Sequence, residues 1–292
     1  MDYSITELDN AFKKLGIVSG NLIYVPSAIF SLGKMSDTKL EDIPKKIYES
    51  LMAKISKNGT LCVPAAFEDF ARLGIEYDCK RSPIDSSQGL LSKYVADQED
   101  CLRTYSPMNG VAGIGPLSEK ICHTHSANST GEGSAWHKLY QYNSKFLFIG
   151  IRPSQALNFI FFIQQRFGVP HLYNKLYNNV IKESGKRVKL KVTALVRYLN
   201  PEYKIIEDAQ KFEDDLFSLG KIKTCKIGRG NIYLIDSAKE IYNIAMKKLQ
   251  KDIYYFLKHE PNFVNGMIPT DGATGPMKTD KQRYKNIEKK KI

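Results

Sequence analysis

Leu22-Ile23-Tyr24-Val25-Pro26-Ser27-Ala28-Ile29-Phe30-Ser31-Leu32-Gly33 is the stretch from which the architecture is read. Its first four residues are an apolar, β-prone run behind Ser19-Gly20-Asn21, the pattern of a buried strand. The rest is a bend rich in hydroxyls. A helix is expected next, over Leu40–Ile55, because Ile43, Ile47, Leu51 and Ile55 recur at helical spacing. Asn58-Gly59 then turns the chain into a second strand, Thr60–Pro64. A strand, a helix and a strand in that order make a parallel crossover, which places the chain in the α/β class.

Outward from this unit, Ser4-x-x-Glu7 reads as a capping box opening a short helix that stops near Gly16. Ala65–Gln88 reads as irregular, and a helix is expected to start near Gly89. Lys145–Ile151 reads as a strand and Gln155–Phe167 as a buried helix. Lys186–Tyr198 alternates like one strand, and Thr224–Ile235 supplies further strand material. Ser237-x-x-Glu240 opens a last helix through Ile241, Ala245, Leu249 and Leu257. Residues 1–261 are expected to form one domain. Residues 262–292, with Gly266, Gly272, Gly275 and Pro276 and then six Lys and one Arg, read as a flexible basic tail.

The chain has 292 residues, 42% of them apolar and 25% charged, with 20 Gly and 12 Pro. That is ordinary globular usage and excludes a disordered, collagen-like or repeat protein. No stretch reaches the ~18 apolar residues of a membrane span; the nearest, Ile151–Ile163, is interrupted by Arg152, Gln155 and Asn158. The start, Met1-Asp2-Tyr3-Ser4, has neither a basic nor an apolar leader region, and the five scattered cysteines read as reduced thiols. A cytoplasmic protein is therefore expected, without closely spaced ligands for a metal.

Charge is uneven. Residues 1–172 carry 18 Lys+Arg against 17 Asp+Glu, and residues 173–292 carry 25 against 14, so the second part supplies +11 of the net +12. Such a surface attracts phosphates, anionic sugars, nucleic acid or acidic lipid, or is simply a solvated face. Nucleic acid is the weakest of these, because the tail has no interleaved aromatics beyond Tyr284.

Three segments carry polar groups suited to chemistry. Ser27 and Ser31 flank a bend at the carboxyl end of a strand, where open α/β sheets hold ligands. Arg103-Thr104-Tyr105-Ser106-Pro107-Met108-Asn109-Gly110 is followed by the small apolar run Val111–Gly115. Gly131-Glu132-Gly133-Ser134 sets a carboxylate between glycines, either for close approach of a ligand or as a tight turn with a solvated Glu.

Taken in order, SxxxSLG (27–33), GTLCVP (59–64), SSQGLLSKY (86–94), RTYSPxxGVAGIG (103–115), GEGSAWHKLY (131–140), FLFIGI (146–151), FGVPHLYNK (167–175) and the segment 227–249 resemble the aminoglycoside 3-N-acetyltransferase (antibiotic N-acetyltransferase) family, over roughly residues 10–255. The resemblance implies that family's α/β fold, with a central mixed, largely parallel sheet flanked by helices. It implies transfer of an acyl group from acetyl-CoA or another acyl-CoA to an amine, with no metal. Ser27, Ala28, Ser31, Leu32, Gly33 and Ser86 would then contact coenzyme A, and Ser106, Glu132 and Gln164 would line the reaction centre. A homodimer is a further expectation.

The chain departs from the family pattern where the chemistry is done. Pro26 stands where the family has His after the first strand, Ser106 where it has the His before Pro, and Phe161 and Gln164 where a His and a Glu project from a helix. A serine hydroxyl cannot serve as base near neutral pH. Glu132 is the carboxylate expected to replace it, with His123, His125 and His171 as further titratable neighbours. The +12 charge disfavours a polycationic acceptor. It points instead to a neutral or anionic one, such as the amino group of a nucleotide-linked sugar in bacterial surface polysaccharide synthesis. The alternative is a non-catalytic relative that keeps the fold to bind a ligand or partner.

Overall fold

The computed structural model describes residues 2–198 and 200–263. Its strands, in chain order, are β1 (Leu22–Tyr24), β2 (Thr60–Pro64), β3 (Tyr77–Asp78), β4 (Leu102–Arg103), β5 (Val111–Ile114), β6 (Lys145–Ile149), β7 (Leu172–Tyr177), β8 (Ile181–Glu183), β9 (Lys186–Val188), β10 (Val192–Arg197), β11 (Ile222–Ile227) and β12 (Gly230–Ile235). Seven of them form the central sheet in the order β11-β12-β6-β1-β2-β5-β4.

The expected crossover is present: β1 runs parallel to β2, with Ile23 opposite Leu61, and the helix Ile43–Ile55 connects them. Both faces of the sheet are covered, which explains the unbroken apolar run at Leu22–Val25. Ile23 and Val25 point into a core layer shared with the helices Ile5–Leu15, Ile43–Ile55 and Leu90–Ala96. Leu22 and Tyr24 point the other way, into a layer with Ala135–Gln141, Phe159–Phe167, Gln210–Ser218 and Ala238–Lys251. The caps read from sequence form as expected. Ser4 and Glu7 complete a capping box, Gly16 ends that helix in the left-handed conformation, and Ser237 Oγ accepts from Glu240 N–H.

The sheet is mixed, as expected, but it is not largely parallel. Only β6–β1 and β1–β2 are parallel, whereas β12–β6, β11–β12, β2–β5 and β4–β5 are antiparallel. The cause is loop length: Gly228-Arg229 joins β11 to β12, and a two-residue link can make only a hairpin. Lys186–Tyr198 is likewise two strands. Leu190 N–H donates back to Val188 O (2.9 Å), so the chain turns between β9, which pairs with β8, and β10, which pairs with β7. Gln155–Phe167 is a short helix, Pro153–Ala156, followed by Phe159–Phe167.

The β7–β10 ribbon places Tyr173, Lys175 and Tyr177 on one face and Leu172, Leu195 and Arg197 on the other. Past the boundary expected at residue 261, Asn262 N–H donates to Tyr203 O (2.9 Å) and Phe263 packs with Ile205 and Leu257. The rest of the basic tail lies outside the described residues. Among the described residues no helix is long and apolar enough to cross a membrane, and no group of three or more His, Cys, Asp or Glu could hold a metal ion. All five cysteines are free, and Cys62, Cys79, Cys101 and Cys122 are buried.

Candidate active site

The bend after β1 is stitched to the carboxyl end of β6. Ala28 N–H donates to Ile149 O (2.8 Å) and Ile149 N–H to Pro26 O (3.2 Å). It therefore sits where the parallel strands end, the position open sheets use for ligands. Ser27 is buried, and its hydroxyl has no partner. Ser31 is exposed, and its hydroxyl donates to Gly150 O. Leu32 is sealed in the core, backbone included, and its carbonyl accepts Arg229 N–H (3.0 Å). Ala28 is exposed and Gly33 half-buried.

Ser86, also exposed, opens the 3-10 turn Ser86–Gln88. The next residue, Gly89, has φ +88°, and a Cβ there would meet Ser27 O at 2.6 Å. The Ser86 loop thus lies directly against the bend. A cavity of about 440 Å³ opens beside it between Phe30, Gly33, Lys34, Leu40, Arg229 and Asp2.

Ser106 belongs to the connection between β4 and β5. Its hydroxyl donates to Met108 O (3.2 Å) and its carbonyl accepts Thr104 Oγ1 (2.8 Å), so both polar groups serve the turn. The turn aims Met108 into a second cavity of about 420 Å³. Phe161, on the helix Phe159–Phe167, forms another wall, and the β7–β10 ribbon contributes Leu172, Tyr173, Lys175, Leu195 and Arg197. Two carboxylates line it. Glu68 is ion-paired with Arg72, and its backbone N–H donates to Asp85 Oδ2 (2.8 Å). Glu207 approaches from the loop before the helix Gln210–Ser218. The residue as a whole is exposed, yet desolvation of its carboxyl raises the pKa above the ordinary value, against the lowering charge of Arg197.

Gln164 is not among the described residues that line the cavity. It is buried, its Oε1 sits 3.0 Å from His171 Nε2, and burial holds His171 down at a pKa of about 4. Glu132 is elsewhere. It lines a third, wide cavity of about 700 Å³ with His123, His125 and His137. Its carboxylate pairs with Arg166 and lies 3.0 Å from His137 Nδ1, which is itself the acceptor of Gly133 N–H (3.0 Å). The carboxylate and the Gly133 N–H thus face the same ring nitrogen, and burial lowers the His137 pKa.

The structure thus brings Ser27, Ala28, Ser31, Gly33 and Ser86 to one place. Neither Ser106 nor Gln164 is among the described residues lining the Met108–Phe161 cavity, and Glu132 lines a separate one. Sequence reasoning missed Glu207 and Arg197. Their only local signals are charges at the edges of apolar pairs, Ile205-Ile206 and Leu195-Val196, and nothing in the spacing ties either to Phe161.

The profile of the aminoglycoside 3-N-acetyltransferase family matches residues 25–250. A curated relative, aminoglycoside N(3)-acetyltransferase III of a Salmonella species, is 24% identical over 163 residues, which cover 50% of this chain and 54% of that one. The match thus spans about half the length of that relative. Among solved structures, sisomicin-bound AAC-VIa superposes with a TM-score of 0.73 at 18% identity, covering 86% of this chain and 99% of that one. The apoenzyme of aminoglycoside acetyltransferase AAC(3)-IVa gives 0.70 at 19%, with 89% and 93% covered. AAC-IIIb in its binary complex with CoASH gives 0.70 at 19%, with 89% and 100% covered. At these identities the superpositions establish the fold, and the profile match over most of the chain establishes the kinship. The chain belongs to the aminoglycoside 3-N-acetyltransferase family.

Proposed function

We propose that this chain is an acyl-CoA-dependent N-acyltransferase that acetylates an amino group of a small amino-sugar acceptor. The observation that carries the reading is the bend: an unpartnered buried hydroxyl on Ser27, outward-facing Ala28 and Ser31, and the cations Lys34 and Arg229 beside Gly33, all at the carboxyl end of the parallel strands. These residues fit a diphosphate-bearing co-substrate, since ammonium and guanidinium groups pair with phosphate oxygens. Ser86 supports the bend from its neighbouring loop. The acceptor is assigned to the Met108–Phe161 cavity, with Ser106 in the turn that carries Met108 and Gln164 on the helix that carries Phe161.

The names of the relatives favour an aminoglycoside as acceptor. The nucleotide-linked sugar expected from the net charge, and with it a role in surface polysaccharide synthesis, draws support from none of them. Glu132, exposed and engaged by Arg166, is better suited to tying the 123–134 loop to the helix Phe159–Phe167 than to taking a proton. A non-catalytic relative is favoured by the phenylalanine at position 161, where the family resemblance implies a titratable group.

The test incubates the full chain with acetyl-CoA and a panel of aminoglycosides, amino sugars and amino-sugar nucleotides, reading thiol release and the mass of the product. An acetylated amine is the expected result. Tight binding of CoA without thiol release for any amine from pH 6 to 9 would establish the non-catalytic reading.

A further inference from the structure

The acceptor cavity contains no histidine, aspartate or cysteine among its described lining residues. Two carboxylates, Glu68 and Glu207, line it beside Lys175, Tyr173 and Tyr177, and a carboxylate is the group there suited to taking a proton from an ammonium. Glu68 is held by Arg72. Glu207 has no hydrogen bond or ion pair to another described side chain, and its backbone is fixed. Asp208 N–H donates to Phe256 O (2.7 Å), Lys258 N–H to Ile206 O (3.0 Å), and Glu207 itself bridges to Leu257. A free carboxylate on a pinned backbone, facing a cavity, is the arrangement general-base catalysis needs.

Building on the acyltransferase reading above, we infer that Glu207 is the general base of the transfer, taking the proton of an acceptor ammonium bound against Phe161 and Leu172. The acceptor enters as an ammonium ion. Glu207 removes one proton, and the freed lone pair forms the C–N bond at the thioester carbonyl. The C–S bond breaks with its electron pair on sulfur. A second proton leaves the nitrogen and converts the thiolate to the thiol, while the proton on Glu207 passes to solvent. The carboxylate also attracts the cationic acceptor, so one residue both binds and deprotonates it.

The charged groups that share the cavity with Glu207 are Arg197 on β10, Lys175 on β7, and Arg72 and Glu68, and Asp208 and Lys258 flank the backbone that holds it. Arg197 is the one whose charge lowers the Glu207 pKa, opposing the burial that raises it. Arg197 thereby favours the charged form of the base and acts as a positioning residue.

The experiment uses the best acceptor from the panel and follows kcat/KM from pH 5 to 9 for wild type, Glu207→Gln, Glu207→Asp and Arg197→Gln, with thermal melts to check folding. Glu207→Gln is expected to lose about 100-fold or more in kcat and to lose the acid limb of the profile. Glu207→Asp should recover part of the rate, and Arg197→Gln should move the acid limb to higher pH. A folded Glu207→Gln protein with the wild-type rate and acid limb would overturn the role of Glu207 and leave the acyltransferase reading standing. A wild-type protein that acetylates no amine would overturn both.

Discussion

His171 Nε2 lies 3.0 Å from Gln164 Oε1, with both side chains sealed from solvent. The amide oxygen can only accept, so Nε2 carries the proton, and Nδ1, which has no partner, carries none. The ring is therefore neutral, and burial lowers its pKa from 6.5 to about 4. Below pH 6.5 the unfolded chain takes up a proton that the folded chain refuses until about pH 4. Stability must fall as pH falls through that window, by up to about 3 kcal/mol from this group. Chemical denaturation at pH 7.5 and 4.5 checks this, and His171→Phe should flatten the difference. Gln164→Leu leaves the Nε2–H unsatisfied and should cost about 1–3 kcal/mol at pH 7.5.

Gly89 and Gly16 both adopt positive φ, +88° and +86°, but only Gly89 is crowded. A methyl group at position 16 meets nothing within 4 Å, so Gly16→Ala should cost only the backbone strain of about 1–2 kcal/mol. At position 89 the added Cβ would press on Ser27 O at 2.6 Å, and the bend must move. Gly89→Ala is therefore expected to raise KM for acetyl-CoA several-fold beyond any effect of Gly16→Ala. Equal KM values for the two variants would separate the Ser86 loop from co-substrate binding.

Lys34 and Arg229 supply the positive charge of the cavity beside Gly33, where Asp2 is the one acid among the described lining residues. Both are exposed, and Arg229 also ties the bend through Nη2 to Phe30 O (3.2 Å). Lys34→Glu should thus weaken acetyl-CoA binding by roughly tenfold through charge alone, an effect that shrinks as salt is raised. Arg229→Met should weaken it with less salt dependence, because geometry is lost along with charge. Calorimetric titration of CoA at 50 and 500 mM salt distinguishes the two.

What the sequence made legible was local or strictly periodic. The run Leu22–Val25, the spacing of Ile43, Ile47, Leu51 and Ile55, and the caps at Ser4 and Ser237 each act within one turn or one strand, so the residues themselves carry the signal. The parallel fraction of the sheet was misjudged because the Gly228-Arg229 hairpin was read as part of one strand segment. Phe161 and Gln164, three apart, were expected to share a reaction centre, yet Phe161 lines the cavity and Gln164 is buried against His171. A helix apolar nearly all round offers no polar face by which to orient it. Glu207 meets Phe161 and Met108 only through long-range packing of the β7–β10 ribbon and the loop before Gln210. No spacing rule reports such a meeting.

Glu213 is 1% exposed, and its carboxylate accepts Arg152 Nε (2.7 Å) and the Ser154 backbone N–H (2.6 Å). Burial works against its charge, but these donors prevail and hold its pKa below the ordinary value. The pair ties the segment after β6 to the helix Gln210–Ser218, just beyond the Glu207 loop. Removing Arg152 strands a buried carboxylate. Because the arginine is itself half-exposed, the cost belongs at the lower end for such pairs, about 2–3 kcal/mol. An acid stabilised in its charged form contributes above the unfolded pKa near 4.5, and that contribution is lost as pH falls through the lowered folded value. Arg152→Ala should therefore lower the melting temperature by several degrees at pH 7.5, with a smaller gap near pH 3.5. Equal melting temperatures at pH 7.5 would mean that the Ser154 N–H alone suffices to hold the charge.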